Sequence, residues 1–243
     1  MGENAATAQF IGDPGVRYDV RTLPVIGAPS RDDGNVCFVA RHSALTLDGW
    51  RSAVRPLRLA SSNRGSGMQV RGVLISTALG LPARPIHGYQ GSAQGRLALE
   101  SGEVDAMCLS FEAYRTLGFE ATTTAIVQTR GRAGAPLAGV PLAEELVATD
   151  EGRMLLNTLR ELSTLNRFYV APPGTPDDVL AVLRNAFDET MRDQDMLRAA
   201  AEARQSVDAT PAAAVEEQIG RVFGQSTEVR TRVSALLLGE SRD

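Results

Sequence analysis

The chain has 243 residues, 43% hydrophobic and 22% charged, and a formal net charge of −4; all 25 basic residues are arginine. That length and apolar content support one large or two modest domains around a substantial core. The acidic balance offers no field to recruit nucleic acid, and the absence of lysine excludes Schiff-base chemistry and a P-loop lysine.

Residues 1–20 read as the end of a helix, Ala5–Ile11, followed by the turn Gly12-Asp13-Pro14-Gly15. The start lacks the basic residues and apolar core of a secretory signal, so the chain as given is expected to stay cytoplasmic. Ala6 stands where myristoylation needs Ser or Thr. Nothing approaches the roughly 18–20 apolar residues of a membrane span, which argues against membrane insertion. Two β-rich runs, Leu23–Ile26 and Val36–Val39, flank the polar loop Pro29–Asn35, and Thr46 is placed to cap a short helix through Trp50 to Val54.

Residues 57–108 alternate strand and helix. Leu57–Ala60, Arg84–His87 and Val104–Leu109 read as strands. Between them run a helix with Val70, Val73, Leu74, Thr77 and Ala78 at helical spacing, stopping near Gly80, and a second one capped by Ser92 with Leu97 and Leu99 inward. Such alternation predicts a parallel sheet, because parallel neighbours need a crossover. Both connecting loops, Ser61–Gly67 and Gly88–Ser92, sit where a strand ends and a helix begins. There the first N–H groups lack intrahelical acceptors and the helix dipole is positive, a natural seat for a carboxylate, phosphate or sulfate. Arg64 reads as a solvated side chain.

Beyond the block, Ser110–Leu117 reads as a short helix and Thr122–Gln128 as a strand that leaves it. Residues 129–142 form a Gly/Ala/Pro loop. A helix over Asp150–Leu165 places Met154, Leu155, Leu159 and Leu162 on one face. The strand Phe168–Ala171 precedes a helix capped by Thr175, with Pro176 at its first position and an apolar stripe of Val179, Val182, Leu183, Ala186, Phe187 and Met191 expected in the core. Helices over 194–204, 211–223 and 226–238 complete an α/β chain. Its two-lobed reading joins 1–36 with 123–243 and sets 37–122 apart, as in proteins that close on a ligand.

Cys37 and Cys108 lie in separate predicted strands, are expected to be buried as small apolar residues rather than bonded, and have no metal-ligand spacing. His42 and His87 are too few for a zinc site. An enzyme would need Cys108 or a loop serine with His87 as base, but no G-x-S-x-G elbow is present and nothing links an orienting acid to the pair. Glu100, Glu103 and Asp105 read as a solvated helix end and strand start. No catalytic residue, metal site or cofactor is expected.

The order and spacing of GDPGVRYD, VIGAPS, GSGMQVRGVL, HGYQGSAQGRLALESGEVDAMC, VPLAEEL and FYVAPPGTPDDVLAVLRNAFDETMRD resemble the Bug-type periplasmic receptors of tripartite tricarboxylate transporters, from about Phe10 to Leu238. The resemblance implies a type II, Venus-flytrap periplasmic-binding-protein-like fold whose two α/β lobes close on a small carboxylate. The receptor then hands the ligand to transporter membrane subunits or a sensor, and is a monomer when complete. It implies ligand-binding residues Ser62, Gly65, Ser66 and Gly67 in one loop, bordered by Gly88, Tyr89, Gly91 and Ser92. It also implies a periplasmic location for the family. Members usually carry an export signal and about a hundred further N-terminal residues, so the first lobe is expected to be incomplete and binding impaired. The alternative is a protein-interaction fragment without ligand binding.

Overall fold

The computed structural model describes residues 1–30, 34–131, 137–165 and 167–239. The centres of the expected loops 29–35 and 129–142, namely 31–33 and 132–136, lie outside the described residues, as do 166 and 240–243.

In chain order the elements are α1 (Glu3–Phe10), β1 (Val25–Ala28), β2 (Asn35–Ala40), α2 (Leu47–Arg51), β3 (Leu57–Ala60), α3 (Gly67–Ala78), β4 (Ala83–Ile86), α4 (Ser92–Glu100), β5 (Met107–Ser110), α5 (Phe111–Thr116) and β6 (Thr123–Gln128). Then follow α6 (Ala143–Leu146), α7 (Asp150–Ser163), β7 (Tyr169–Val170), α8 (Asp177–Thr190), α9 (Gln194–Glu202), β8 (Thr210–Pro211), α10 (Ala212–Phe223) and α11 (Thr227–Leu238). Local chemistry sets many of the ends. Thr46, Ser66 and Ser110 each accept, through the side-chain hydroxyl, a backbone N–H three residues on. α3 stops where Gly80 turns left-handed at φ +63°, which glycine adopts without a Cβ penalty.

By contacts the chain forms two compact units: Met1–Asp32 with Glu161–Ser226, and Asp33–Arg160 with Thr227–Asp243. In the second, β3 and β4 pair in parallel, from Leu57↔Ala83 to Ala60↔Ile86. A parallel bridge, Leu59↔Ala106, joins β3 to the start of β5, and the Ala60 N–H donates to the Ala106 carbonyl at 3.1 Å. β2 lies antiparallel between β5 and β6. The strand order is therefore β4-β3-β5-β2-β6: the expected parallel block, widened by β2. β6 returns to this sheet instead of leaving it, pairing antiparallel with β2 from Val36↔Gln128 to Ala40↔Thr123, a long-range partner that local sequence does not reveal. The core beneath is apolar and aromatic; Phe38 packs 4.9 Å from Tyr114 and 4.8 Å from Phe119, ring centre to ring centre.

A second departure is covalent. Cys37 and Cys108 face each other across β2 and β5, with Cα atoms 4.1 Å apart, and form a disulfide. The expectation of two separate buried thiols fails because cross-strand register, which sequence spacing does not reveal, makes the residues partners. Leu97 also departs: it is 66% exposed, while Ala98 and Leu99 face inward.

In the first unit β1 is the central strand, antiparallel to β7 and to β8, with α8 and α10 packed on it. Thr175 does not cap α8: its hydroxyl donates to the Pro172 carbonyl, and Pro176 takes the cap position. The face of α8 turned to β1 carries Leu180, Arg184 and Phe187, at the i, i+4, i+7 spacing of one helix side. Arg184 Nε donates to the Val25 carbonyl at 2.8 Å. Of the stripe expected in the core, Phe187 faces β1 as expected, but Val179, Val182 and Leu183 are rotated out, 43%, 66% and 38% exposed. Gly27 explains the seating, since a Cβ there would lie 2.7 Å and 2.9 Å from ring carbons Cδ1 and Cζ of Phe187. Gly27→Ala is therefore expected to destabilise the first unit by about 1–3 kcal/mol in urea unfolding. In the Phe187→Leu background the penalty should shrink to a few tenths; an equal penalty in both backgrounds would show that the ring is not the obstacle.

Candidate functional site

The parallel pair β3/β4 ends in two loops on one sheet edge. Residues 61–66 lead into α3 and residues 87–91 into α4. They are stitched together: the Gly88 N–H donates to the Ser62 carbonyl at 3.0 Å, and the Tyr89 N–H to the Ser61 carbonyl at 3.3 Å. All eight expected ligand-binding residues belong to these two loops and the helix starts they feed.

Within the first loop, Gly65 adopts φ +72° and its N–H donates to Gln69 Oε1 at 2.6 Å. Gln69 in turn donates through Nε2 to the Leu237 carbonyl at 2.7 Å, so α11 braces the turn from behind. The Ser66 hydroxyl accepts the Gln69 N–H and lies 3.2 Å from Ser61 Oγ. The loop is thus held by buried groups, while Ser62 and Gly67 are half-buried at its surface and Arg64 is exposed. α3, 12 residues long, directs its N-terminal end to this loop, so the dipole and first N–H groups favour negative charge there.

The second loop differs from expectation in detail. Gly91, at φ +89°, takes the cap position of α4, and Ser92 is the first helical residue with no capping bond. Gln94 instead ties the incoming loop to the first turn, its Oε1 accepting the Gln90 N–H at 2.7 Å. The Tyr89 hydroxyl donates to Glu103 Oε1 at 2.8 Å; burial and that carboxylate push its pKa up to about 12. Tyr89 therefore offers the loop its backbone and ring edge, with its hydroxyl committed elsewhere.

Ser61, Gln69 and His87 are the residues that sequence reasoning missed as supports. Gln69 was findable as a carboxamide four residues beyond a glycine turn; Ser61 and His87 were not, because their contact spans two strands. His87 Nδ1 lies 3.1 Å from Ser61 Oγ, a distance suited to a nucleophile and its base. Ser61 is fully buried, however, and no carboxylate engages His87 Nε2 among the described residues, so the pair locks the loops and has no orienting acid. Burial, with Arg64 adding to it, lowers the His87 pKa below the usual imidazole value and favours the neutral ring at pH 7.

Of the three acids expected to be solvated, Glu100 and Glu103 are exposed as expected, though each has a partner, and Asp105 departs from the expectation. Glu100 meets Arg96 at 3.0 Å, Glu103 meets Tyr89, and Asp105 lies at the far end of β3, held by Arg55 and Arg58.

Solved structures share this fold. The periplasmic binding protein BugD superposes with a TM-score of 0.68 at 18% identity, covering 96% of this chain and 76% of its own. A TctC solute-binding protein from Polaromonas gives 0.64 at 14%, covering 98% and 76%. MatC from Rhodopseudomonas palustris, solved with bound malate, gives 0.63 at 16%, covering 96% and 75%. The chain thus spans about three quarters of the length of each and has the α/β fold of periplasmic solute-binding proteins. No family model matches it, and no curated protein matches it in sequence. Among the described residues no helix is long and apolar enough to cross a membrane.

Proposed function

We propose that this chain is a non-enzymatic, cofactor-free receptor for a small organic carboxylate. A ligand carboxylate sits against Ser62, Gly65, Ser66 and Gly67 at the start of α3, bordered by Gly88, Tyr89, Gly91 and Ser92. The observation that carries this reading is the pair of loop-to-helix turns on one sheet edge, hydrogen-bonded to each other and braced by Gln69 and Ser61. Malate in the MatC structure supports the ligand class. The two compact units are the two lobes of the receptor. A complete receptor of this kind works as a monomer that delivers its ligand to transporter membrane subunits or a sensor. The Cys37–Cys108 disulfide supports an oxidising compartment such as the periplasm, since such bonds are rare in reducing cytosol.

Calorimetric titration with malate, succinate, adipate and citrate tests the reading. One acid should bind at one equivalent and, at a hundredfold excess over its Kd, stabilise the fold by about 2.7 kcal/mol. Ser62→Glu, which puts a negative charge on the loop, should weaken it at least tenfold, and Ser62→Gln far less. Silence with all four acids, or equal affinity in Ser62→Glu, would overturn the proposal.

A further inference from the structure

The opposite edge of the same sheet carries a cavity that the receptor function does not use. It lies where β2 ends and where β3 and β5 begin, about 13 Å along β3 from the Ser61–Gly67 loop by strand rise. Its volume is about 310 Å³, the share of roughly ten waters in the liquid. The floor is aliphatic, built from Leu45, Leu57, Leu99 and Val104.

One wall is charged. Asp105 accepts five N–H donors: Arg55 Nη1 and Nη2 end-on at 2.8 and 2.9 Å, and the Arg58 backbone N–H, Nε and Nη2 at 2.7–3.1 Å. One carboxylate thus serves two guanidiniums, leaving a net positive charge. The end-on grip on Arg55 also leaves its Nε–H and the neighbouring Nη2–H, the side-on fork that matches a carboxylate, without a hydrogen-bond partner among the described residues. Arg55, Asp105 and His42 all line the cavity.

We infer that this cavity is a second ligand site, taking a compact organic acid whose apolar body fills the aliphatic floor and whose carboxylate meets the free fork of Arg55. A single carboxylate on a ring or chain of about six carbons suits an aliphatic floor of this volume, so the ligand class, a monocarboxylate with an apolar body, differs from the di- and tricarboxylates proposed for the loop edge. The inference is independent of that proposal, because no residue is shared between the sites.

Benzoate and hexanoate are the probes, titrated into the full chain by calorimetry and by ligand-observed NMR. Benzoate should bind at one equivalent with a Kd in the millimolar range or tighter. Ala53→Phe, which fills the cavity from its rim, should abolish benzoate binding while leaving the melt and any malate binding unchanged. Arg55→Gln, at a side chain 60% exposed and so tolerant of change, should weaken benzoate at least tenfold. Ser62→Glu should leave benzoate binding intact. Absence of benzoate and hexanoate binding overturns the inference, as does binding that survives Ala53→Phe. Equal affinity in Arg55→Gln would overturn the assignment of the carboxylate to that fork.

Discussion

Breaking the Cys37–Cys108 disulfide is expected to lower the unfolding free energy of the second unit by about 4 kcal/mol. The bond closes a loop with a sequence separation of 71, and the chain-entropy relation for a loop of that length gives about 4.4 kcal/mol at 25 °C. The native state loses little in exchange: the two residues sit opposite each other inside an antiparallel ladder, both almost wholly buried, and free thiols would still pack as small apolar groups. The effect therefore falls on the unfolded chain. Trp50, the single tryptophan, is buried in the same unit with its indole N–H on the Pro82 carbonyl, so its fluorescence reports this unfolding alone. Urea unfolding of the Cys37→Ala/Cys108→Ala variant should show the loss, and adding reductant to the parent should reproduce it. Identical midpoints for all three would show that the crosslink does not constrain the unfolded chain.

Asp105→Asn is expected to cost about 2–3 kcal/mol, the second largest effect. The carboxylate is only 15% exposed and is the shared acceptor for Arg55 and Arg58; neutralising it weakens five hydrogen bonds and leaves two cations side by side. Burial pushes the Asp105 pKa up, but hydrogen bonds from Arg55 and Arg58 outweigh it and hold the group well below the usual carboxylate range. A depressed folded-state pKa fixes the sign. This stabilisation is fully present above the unfolded value near 3.9 and is lost as pH falls below it toward the folded value. Unfolding midpoints of the parent should therefore drop between about pH 4 and pH 2, and those of Asp105→Asn less steeply. Arg55→Ala, an exposed partner, should cost under about 1 kcal/mol at pH 7. Parallel pH profiles for parent and Asp105→Asn would contradict this account.

These two cases show where sequence and fold part company. The β3-α3-β4 unit was legible because its signals are local: apolar spacing from Val70 to Ala78, a glycine at the helix end, and strand–helix alternation that demands parallel pairing. The loop edge proposed to hold an anion follows from the same local grammar. The disulfide, the return of β6 and the Asp105 cluster depend on partners 47 to 92 residues away, brought together by register that no short window encodes. Leu97 and the stripe of α8 failed for a related reason. A helix with apolar residues on two sides can turn either one inward, and α8 is turned by the space over Gly27 and the reach of Arg184. Ser92 and Thr175 are capping-type residues each placed one position from the true cap, where Gly91 and Pro176 already set the backbone.

The most direct test of the central claim is hydrogen–deuterium exchange of the full chain with and without saturating malate, or whichever acid binds tightest. The account predicts added protection confined to residues 61–68 and 87–94, with residues 40–45 and 53–57 unchanged. Protection elsewhere with those two loops unmoved, or no protection by any carboxylate, would contradict the assignment of this edge as the receptor site.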